Sequence, residues 1–216
     1  MFDHVQRSAT AVGLTVVGGF HPQSADDAAE GVQTVVLLGP GGSETWDHFC
    51  QSTEYSDGLA HGMDRWSRRV ITALGEDLDA EPAFPFGGPP WLPFQKWATW
   101  GEHAVPSPVG MQASPSRGLW ASYRGALMFR MKLDLPEWPD ASPCSPCAQP
   151  CRTACPIGAF QDGSYDAARC ADYVRSEAGH ACRDGCLVRK SCPAGQQIAL
   201  PTAQREFHMQ AFLSAN

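Results

Sequence analysis

The residues of this 216-residue chain that are best suited to chemistry are its cysteines, eight of which lie between positions 144 and 192. They form two runs of four, and each run ends in a Cys-Pro pair. Proline fits the first turn of a helix, where its missing N–H would have no intrahelical partner. Thiolates are soft ligands, so the metals they favour are zinc, copper(I) or iron in iron–sulfur clusters. The first run is Cys144, Cys147, Cys151 and Cys155, and the second is Cys170, Cys182, Cys186 and Cys192.

Disulfides, two zinc sites and two iron–sulfur clusters are the three alternatives for these eight cysteines. Disulfides are typical of secreted chains, and the mixed polar residues 1–10 do not resemble a secretory signal. Two zinc sites of four thiolates each would also use eight cysteines. The paired Cys-Pro endings favour two [4Fe–4S] clusters, because a zinc ribbon has no requirement for them. Cys50, outside the block, is interpreted as a small buried hydrophobic residue.

The first run also resembles a known family. Residues 144–160, CSPCAQPCRTACPIGAF, resemble the cysteine run of two-cluster ferredoxins, with one extra residue in the second gap. In that family the fourth cysteine of each run ligates the other cluster. The resemblance therefore implies two crossed ligand sets. The first set would be Cys144, Cys147, Cys151 and Cys192, and the second would be Cys155, Cys170, Cys182 and Cys186.

The charge distribution argues against nucleic-acid binding. Residues 1–143 contain 9 Lys and Arg against 17 Asp and Glu, and residues 144–216 contain 7 against 6. Proteins that bind the phosphate backbone need an excess of basic side chains. The chain also has no apolar run of about 18 residues, the length that predicts a membrane span. We therefore expect a cytoplasmic protein with a redox partner protein, no membrane and no nucleic acid.

The residues before the cysteine block have the periodicities of a mixed α and β domain. Val12–Phe20 and Val32–Leu38 are β-branched apolar runs that predict buried strands. Ser43 is predicted to cap the helix that follows the second strand. The remaining predicted elements are a helix over 57–78 with Met63, Trp66, Val70 and Leu74 on its buried face, a helix over 94–100, a strand–turn–strand over 109–129, and a tail helix over 202–216.

A second resemblance lies in residues 115–129, PSRGLWASYRGALMF. This segment resembles the Gly-Gly-Trp-Phe-Ala-Ile-Arg-Gly segment of the cobalamin-processing decyanases, which have a nitroreductase-like fold. The order of elements over about residues 30–130 is similar too. Epoxyqueuosine reductases and corrinoid reductive dehalogenases are similar in placing a corrin-binding domain before a two-cluster module. The catalytic aspartate and C-terminal extension of epoxyqueuosine reductases cannot be placed here, so no queuosine activity is inferred.

The resemblance implies a corrinoid site among the aromatic residues of 84–100 and the segment 118–127. Arg124 has two interpretations, a buried ion-pair partner or a contact to the carboxamide and phosphate groups of the corrinoid. The predicted cofactor-binding residues are Trp91, Gln95, Trp120, Tyr123 and Arg124. No catalytic residue is predicted.

These observations predict an α+β fold: a nitroreductase-like sheet-and-helix body, then a small ferredoxin-like module with two clusters. The predicted boundaries are 1–138 for the body, 139–200 for the module and 201–216 for a tail that packs on the body.

The predicted function is single-electron transfer through two [4Fe–4S] clusters to a corrinoid in the body, as in a cobalamin reductase or a corrinoid-dependent reductase. One alternative is an electron carrier that docks a partner enzyme and binds no corrinoid. Another is a flavin-binding reductase, since the family that the body resembles also holds flavin.

Overall fold

A four-stranded antiparallel sheet organises the first of two structural units. The computed structural model describes residues 1–23, 28–160, 164–198 and 200–216. Its first unit is Met1–His103 with Ser122–Pro139, and its second is Ala104–Ala121 with Asp140–Asn216. The fold is a mixed α+β fold with a small antiparallel sheet, which agrees with the α+β class predicted from the sequence.

The helices and strands follow the chain in this order. The helices are α1 (Phe2–Ala11), α2 (Ser43–Cys50), α3 (Thr53–Ser56), α4 (Gly62–Leu78), α5 (Phe94–Glu102), α6 (Ala167–Arg175), α7 (His180–Arg183), α8 (Leu187–Lys190) and α9 (Thr202–Ala215). The strands are β1 (Leu14–Phe20), β2 (Thr34–Pro40), β3 (Glu81–Ala83), β4 (Val105–Pro106), β5 (Gln112–Ala113) and β6 (Gly125–Phe129). In the part of the chain that the structure describes, no helix is long and apolar enough to cross a membrane.

The sheet has the strand order β1-β2-β6-β3, and every neighbouring pair is antiparallel. The central strand β2 is buried along residues 34–39, as expected for a β-branched run covered on both faces. It pairs with β6 through Val36 and Leu127, and β1 has a bulge between Val16 and Gly18. The two predicted strands are confirmed, and each begins two residues later than predicted.

Helix α5 packs directly on β1 because both elements carry glycine where they meet. A Cβ atom on Gly18 would lie 2.6 Å from the carbonyl oxygen of Gly101. The ring of Trp97 is fully buried and lies 4.9 Å from the ring of Phe94 and 6.2 Å from that of Phe20, centroid to centroid. Close backbone approach and aromatic packing together fix the position of α5.

The predicted amphipathic helix is confirmed as α4. Its four predicted apolar positions, Met63, Trp66, Val70 and Leu74, are all buried, and the helix contacts β3 and β6. The predicted start at residue 57 is wrong, because α4 begins at Gly62 and a separate short helix, α3, precedes it. The predicted cap at Ser43 is also wrong, since Gly42 occupies the cap position of α2. Thr45 supplies the local hydrogen bond instead, accepting from the Gly41 N–H at 2.9 Å.

The second unit consists mainly of short helices and turns. Its 104–121 segment forms the two-residue ladder of β4 and β5 and an isolated bridge between Ser114 and Gly118. Helix α9 contacts α6 and α7. Arg205 in α9 donates to the carbonyl oxygen of Asp184 at 2.7 Å, and Arg175 in α6 donates to the carbonyl oxygen of Leu213 at 2.7 Å.

This division differs from the predicted boundaries in two places. Residues 104–121 belong to the second unit and not to the body, because Val109, Ala113 and Leu119 form one buried cluster with Cys151 and Val188. The tail predicted to pack on the body, residues 201–216, is also part of the second unit, where α9 makes the contacts just described.

Candidate functional site

Three cysteines of the first run approach Cys192, which lies far from them in sequence. Burial raises the pKa of the Cys144 thiol, and the charges of Cys192, Cys151 and Cys147 raise it further. Burial also raises the pKa of Cys151, with further contributions from Cys192 and Cys147. Because such charge effects act over short distances, these four sulfur atoms are neighbours. We refer to them as the first cysteine set.

The other four cysteines form the second cysteine set. Burial raises the pKa of Cys182, and the charges of Cys186, Cys170 and Cys155 raise it further. The same four side chains line one apolar recess together with Pro156, Ile157, Phe160, Tyr173, Val174, Leu187, Val188 and Met209. Cys155 ends the first run in sequence, yet in space it belongs with Cys170, Cys182 and Cys186.

Local backbone structure aims N–H groups at cysteine sulfurs in both sets. The Gln149 N–H donates to Cys147 Sγ at 3.3 Å, and the Ala159 N–H donates to Cys155 Sγ at 3.2 Å. Gln149 has a φ of 57°, which turns the chain into the short 3-10 helix that carries the buried Cys151. Donors that point at sulfur stabilise the thiolate form, which is the form that binds metal.

The segment 104–121 supplies the wall of the first cysteine set. A Cβ atom on Gly118 would lie 2.6 Å from Cys192 Sγ, so the backbone of this segment runs against the sulfur. Leu119 is 1% exposed and belongs to the buried cluster around Cys151. Its carbonyl oxygen accepts a hydrogen bond from Arg189 Nη1 at 2.8 Å. The first cysteine set is therefore enclosed by residues that come from the middle of the chain.

Tyr165 stands beside the second cysteine set. Its ring stacks on Phe160 with the centroids 4.6 Å apart and the planes 9° apart. Partial burial raises the pKa of Tyr165, and the interaction with Cys170 and the charges of Cys170, Cys186 and Cys155 raise it further.

The residues present fit a [4Fe–4S] cluster in each set. Within the described ranges, no group of three or more His, Cys, Asp or Glu side chains is found that could hold one metal ion. Four thiols around an apolar space, with N–H donors on their sulfurs, match what such a cluster uses.

The predicted corrinoid residues are divided between the two units. Trp120 is in the second unit, and the other four are in the first. Trp91 is 65% exposed, and Gln95 lies on the exposed side of α5. The hydroxyl of Tyr123 donates to the buried carboxylate of Glu102.

Arg124 is a partly buried ion-pair partner, which matches one of the two predicted alternatives. Its guanidinium pairs with Asp64 and donates to Ser67 Oγ at 3.0 Å. Burial lowers the pKa of Arg124, and the charge of Asp64 opposes that effect. The side chain is therefore engaged with α4 in the first unit.

Three residues near the cysteine sets were not predicted as site residues: Gly118, Tyr165 and Arg189. The spacing of aromatic residues around the cysteines could have pointed to Tyr165, because Phe160 and Tyr165 lie between Cys155 and Cys170 in sequence. Gly118 and Arg189 depend on contacts between distant segments, which spacing does not reveal. Comparison of the chain with models of protein families, with curated proteins and with solved structures finds no match.

Proposed function

We propose that this chain is an iron–sulfur redox protein that transfers single electrons through two [4Fe–4S] clusters. The observation that carries the proposal is the crossed grouping of its cysteines: Cys155 lines one recess with Cys170, Cys182 and Cys186, and the charge of Cys192 acts on Cys144 and Cys151. In a two-cluster ferredoxin module the fourth cysteine of each run ligates the other cluster. A disulfide framework needs pairs of cysteines and gives no reason for two groups of four.

The chain supplies three things to this function. The thiols in each set would bind as thiolates, so cluster assembly displaces protons from groups whose pKa is raised by burial. Apolar side chains limit water around the sulfurs, and N–H donors stabilise their charge. Each bound cluster would accept and release one electron. The second unit would then be a ferredoxin-like module, attached to a nitroreductase-like body.

Metal and sulfide analysis of anaerobically prepared protein tests this proposal. Two cubes require about eight iron and about eight acid-labile sulfide per chain. The protein should be brown, and its reduced form should give the electron paramagnetic resonance (EPR) signals of two clusters. Cys50→Ser is the matched control, because Cys50 lies at the end of α2 in the first unit, and it should leave the iron content unchanged. Stoichiometric zinc without sulfide would contradict the proposal.

For the electron acceptor we propose a corrinoid. The resemblance of residues 115–129 to the cobalamin-processing decyanases supports it, and one contact adds to it. A Cβ atom on Gly195 would lie 2.8 Å from Trp120 Cδ1, so this tryptophan packs against the backbone that follows Cys192. Gly118 and Trp120, the part of the resemblance that belongs to the second unit, therefore lie next to Cys192 and Gly195.

Hydroxocobalamin offered to the chemically reduced protein tests the acceptor. The cobalt(II) spectrum should appear while the cluster absorbance returns to its oxidised form. Trp120→Ala should weaken binding more than Arg7→Ala does, because Arg7 is an exposed residue of α1. If excess hydroxocobalamin causes no band shift and no cluster oxidation, the corrinoid proposal fails. The alternative would then be an electron carrier that docks a partner enzyme. Bound flavin mononucleotide would favour the flavin reductase.

A further inference from the structure

We propose that Val188 couples the two cysteine sets, so that a cluster bound in one set helps the other set to hold its own. The inference rests on the proposed function, since it requires a cluster in each set. It goes beyond that function because it makes the retention of one cluster depend on the other. Three features of the structure support it: the burial of Val188, the place of its helix in the chain, and the shortness of that helix.

The side chain of Val188 belongs to the walls of both cysteine sets. It is 1% exposed and packs in the buried cluster that contains Cys151 and Leu119, on the side of the first set. It also lines the apolar recess of the second set, with Cys155 and Cys186. Helix α8, which carries Val188, contacts the short 3-10 helix of Cys151. One buried side chain therefore contacts the surroundings of both sets.

Helix α8 also joins a proposed ligand of one set to a proposed ligand of the other. Cys186 occupies its N-cap position, and Cys192 follows its C-terminal end. Backbone hydrogen bonds link the helix to both. The Lys190 N–H donates to the carbonyl oxygen of Cys186 at 3.0 Å, and the Cys192 N–H donates to that of Arg189 at 3.3 Å. At the helical rise per residue the chain from Cys186 to Cys192 spans about 9 Å, so movement of this turn displaces both ligands together.

A helix as short as α8 depends on its tertiary contacts. Isolated helices shorter than about 12–15 residues are marginal in water, and α8 has 4 residues. Its contacts are the burial of Val188 and the hydrogen bond from Arg189 Nη1 to the carbonyl oxygen of Leu119 at 2.8 Å. A filled set would fix the ligand at its own end of α8, and the same turn would then hold the ligand of the other set. Such a coupling is reciprocal, and couplings between sites typically change affinity by about 5- to 150-fold.

Cluster loss to an iron chelator, followed anaerobically by EPR, measures the coupling. The loss rate of the cluster in the first set is compared between the unaltered chain and Cys170→Ala/Cys182→Ala, which removes two ligands of the second set and leaves both ends of α8 intact. The remaining cluster still forms, because all of its own cysteines are present. We expect it to be lost at least about fivefold faster than in the unaltered chain. Cys144→Ala/Cys147→Ala should have the same effect on the cluster of the second set.

Val188→Ala tests whether this side chain carries the coupling. In the Val188→Ala background, the ratio of the two loss rates should fall close to one. Taking the ratio within each background separates coupling from the destabilisation that any cavity causes. Val174→Ala and Val109→Ala are the matched controls, because Val174 lines the recess of the second set and Val109 belongs to the buried cluster around Cys151. Each control should change the loss rates and keep the ratio of the unaltered chain.

A ratio of one in the unaltered chain would overturn the inference, and so would an unchanged ratio in Val188→Ala. If Val188→Ala loads neither cluster, Arg189→Gln decides, because it loosens α8 from Leu119 and leaves the buried valine in place. Its ratio should fall below that of the unaltered chain, and an equal ratio would overturn the inference. A preparation of the unaltered chain without iron and sulfide would instead contradict the proposed function.

Discussion

At the scale of single residues, two glycines determine how the chain passes the first cysteine set. Gly118 has a φ of 51°, and a Cβ there would lie 2.6 Å from both Cys192 Sγ and the amide nitrogen of Gly195. A Cβ on Gly195 would in turn meet the ring of Trp120. Two backbone segments therefore lie in direct contact beside a proposed ligand. This packing gives the Gly118-Leu119-Trp120 sequence a structural role whether or not a corrinoid binds.

Gly118→Ala should damage the cluster of the first cysteine set. The added methyl group would displace Cys192 Sγ, and overpacking of this kind costs about 1–3 kcal/mol. We expect the iron content to fall towards half, with loss of the EPR signal that Cys144→Ser also removes. Gly58→Ala separates this contact from backbone strain, because Gly58 has a φ of 70° but no atom within 4 Å of its Cβ position. Equal iron loss in the two variants would refute the contact as the cause.

An ion pair in the first unit should make stability depend on pH. Hydrogen bonds from Arg69 lower the pKa of Glu54 to about 2. A lowered pKa in the folded state gives stability above the unfolded pKa, about 4.3 for glutamate, and loses it as pH falls towards 2. Since the Arg69 side chain is 58% exposed, the contribution at neutral pH should be below about 1 kcal/mol.

Urea unfolding of Glu54→Gln and of the unaltered chain, compared at pH 7, 4 and 3, measures this contribution. Glu54→Gln should be less stable at pH 7, and the difference should shrink as the pH falls. Glu76→Gln is the control, because Glu76 is exposed on α4. If the stability difference between the two proteins grew as the pH falls, the lowered pKa of Glu54 in the folded state would be contradicted.

At the scale of secondary structure, α9 covers the second cysteine set and is held there largely by polar contacts. Met209 lines the recess of that set, and Phe212 approaches Tyr165. Of the α9 residues only Gln204 is buried, so an apolar stripe does not anchor the helix. Arg205 anchors it instead, pairing with the Asp184 carboxylate and donating to its carbonyl oxygen.

Arg205→Ala should loosen α9 and expose the cluster of the second set to oxygen. We expect that cluster to bleach faster in air, several-fold faster than in the unaltered chain, while the cluster of the first set keeps its rate. Absorbance decay with EPR sampling at intervals measures both rates. Arg7→Ala provides the control, since Arg7 is an exposed arginine of α1. Equal acceleration for both clusters would show that Arg205 acts on the whole unit and not through α9.

At the scale of the whole molecule, local patterns predicted more than long-range contacts did. The buried face of α4 and the strands β1 and β2 follow from periodicity within one element, and all three are confirmed. Helix α1 was missed, although Phe2, Val5 and Ala9 recur at helical spacing among polar residues. The assignment of 104–121 to the second unit depends on packing against Cys151 and Val188, and sequence spacing contains no information about such a contact.

The predicted cysteine site rests on two different kinds of information. The spacing within each run predicts that its cysteines act together, whereas the crossed ligand sets are implied only by the resemblance to two-cluster ferredoxins. The corrinoid residues were predicted from one segment and a cluster of aromatics. The structure places Trp91 at the surface, engages Arg124 with Asp64, and assigns Trp120 to the second unit.

The most direct test of the two-cluster account is a pair of variants at the two crossing positions, Cys192→Ser and Cys155→Ser. EPR of the reduced, anaerobically prepared proteins would be compared with that of Cys144→Ser and Cys182→Ser. The account predicts that Cys192→Ser alters the same signal as Cys144→Ser, and that Cys155→Ser alters the same signal as Cys182→Ser. If Cys192→Ser alters the signal that Cys182→Ser alters, the crossed ligand sets are wrong, and the central claim fails with them.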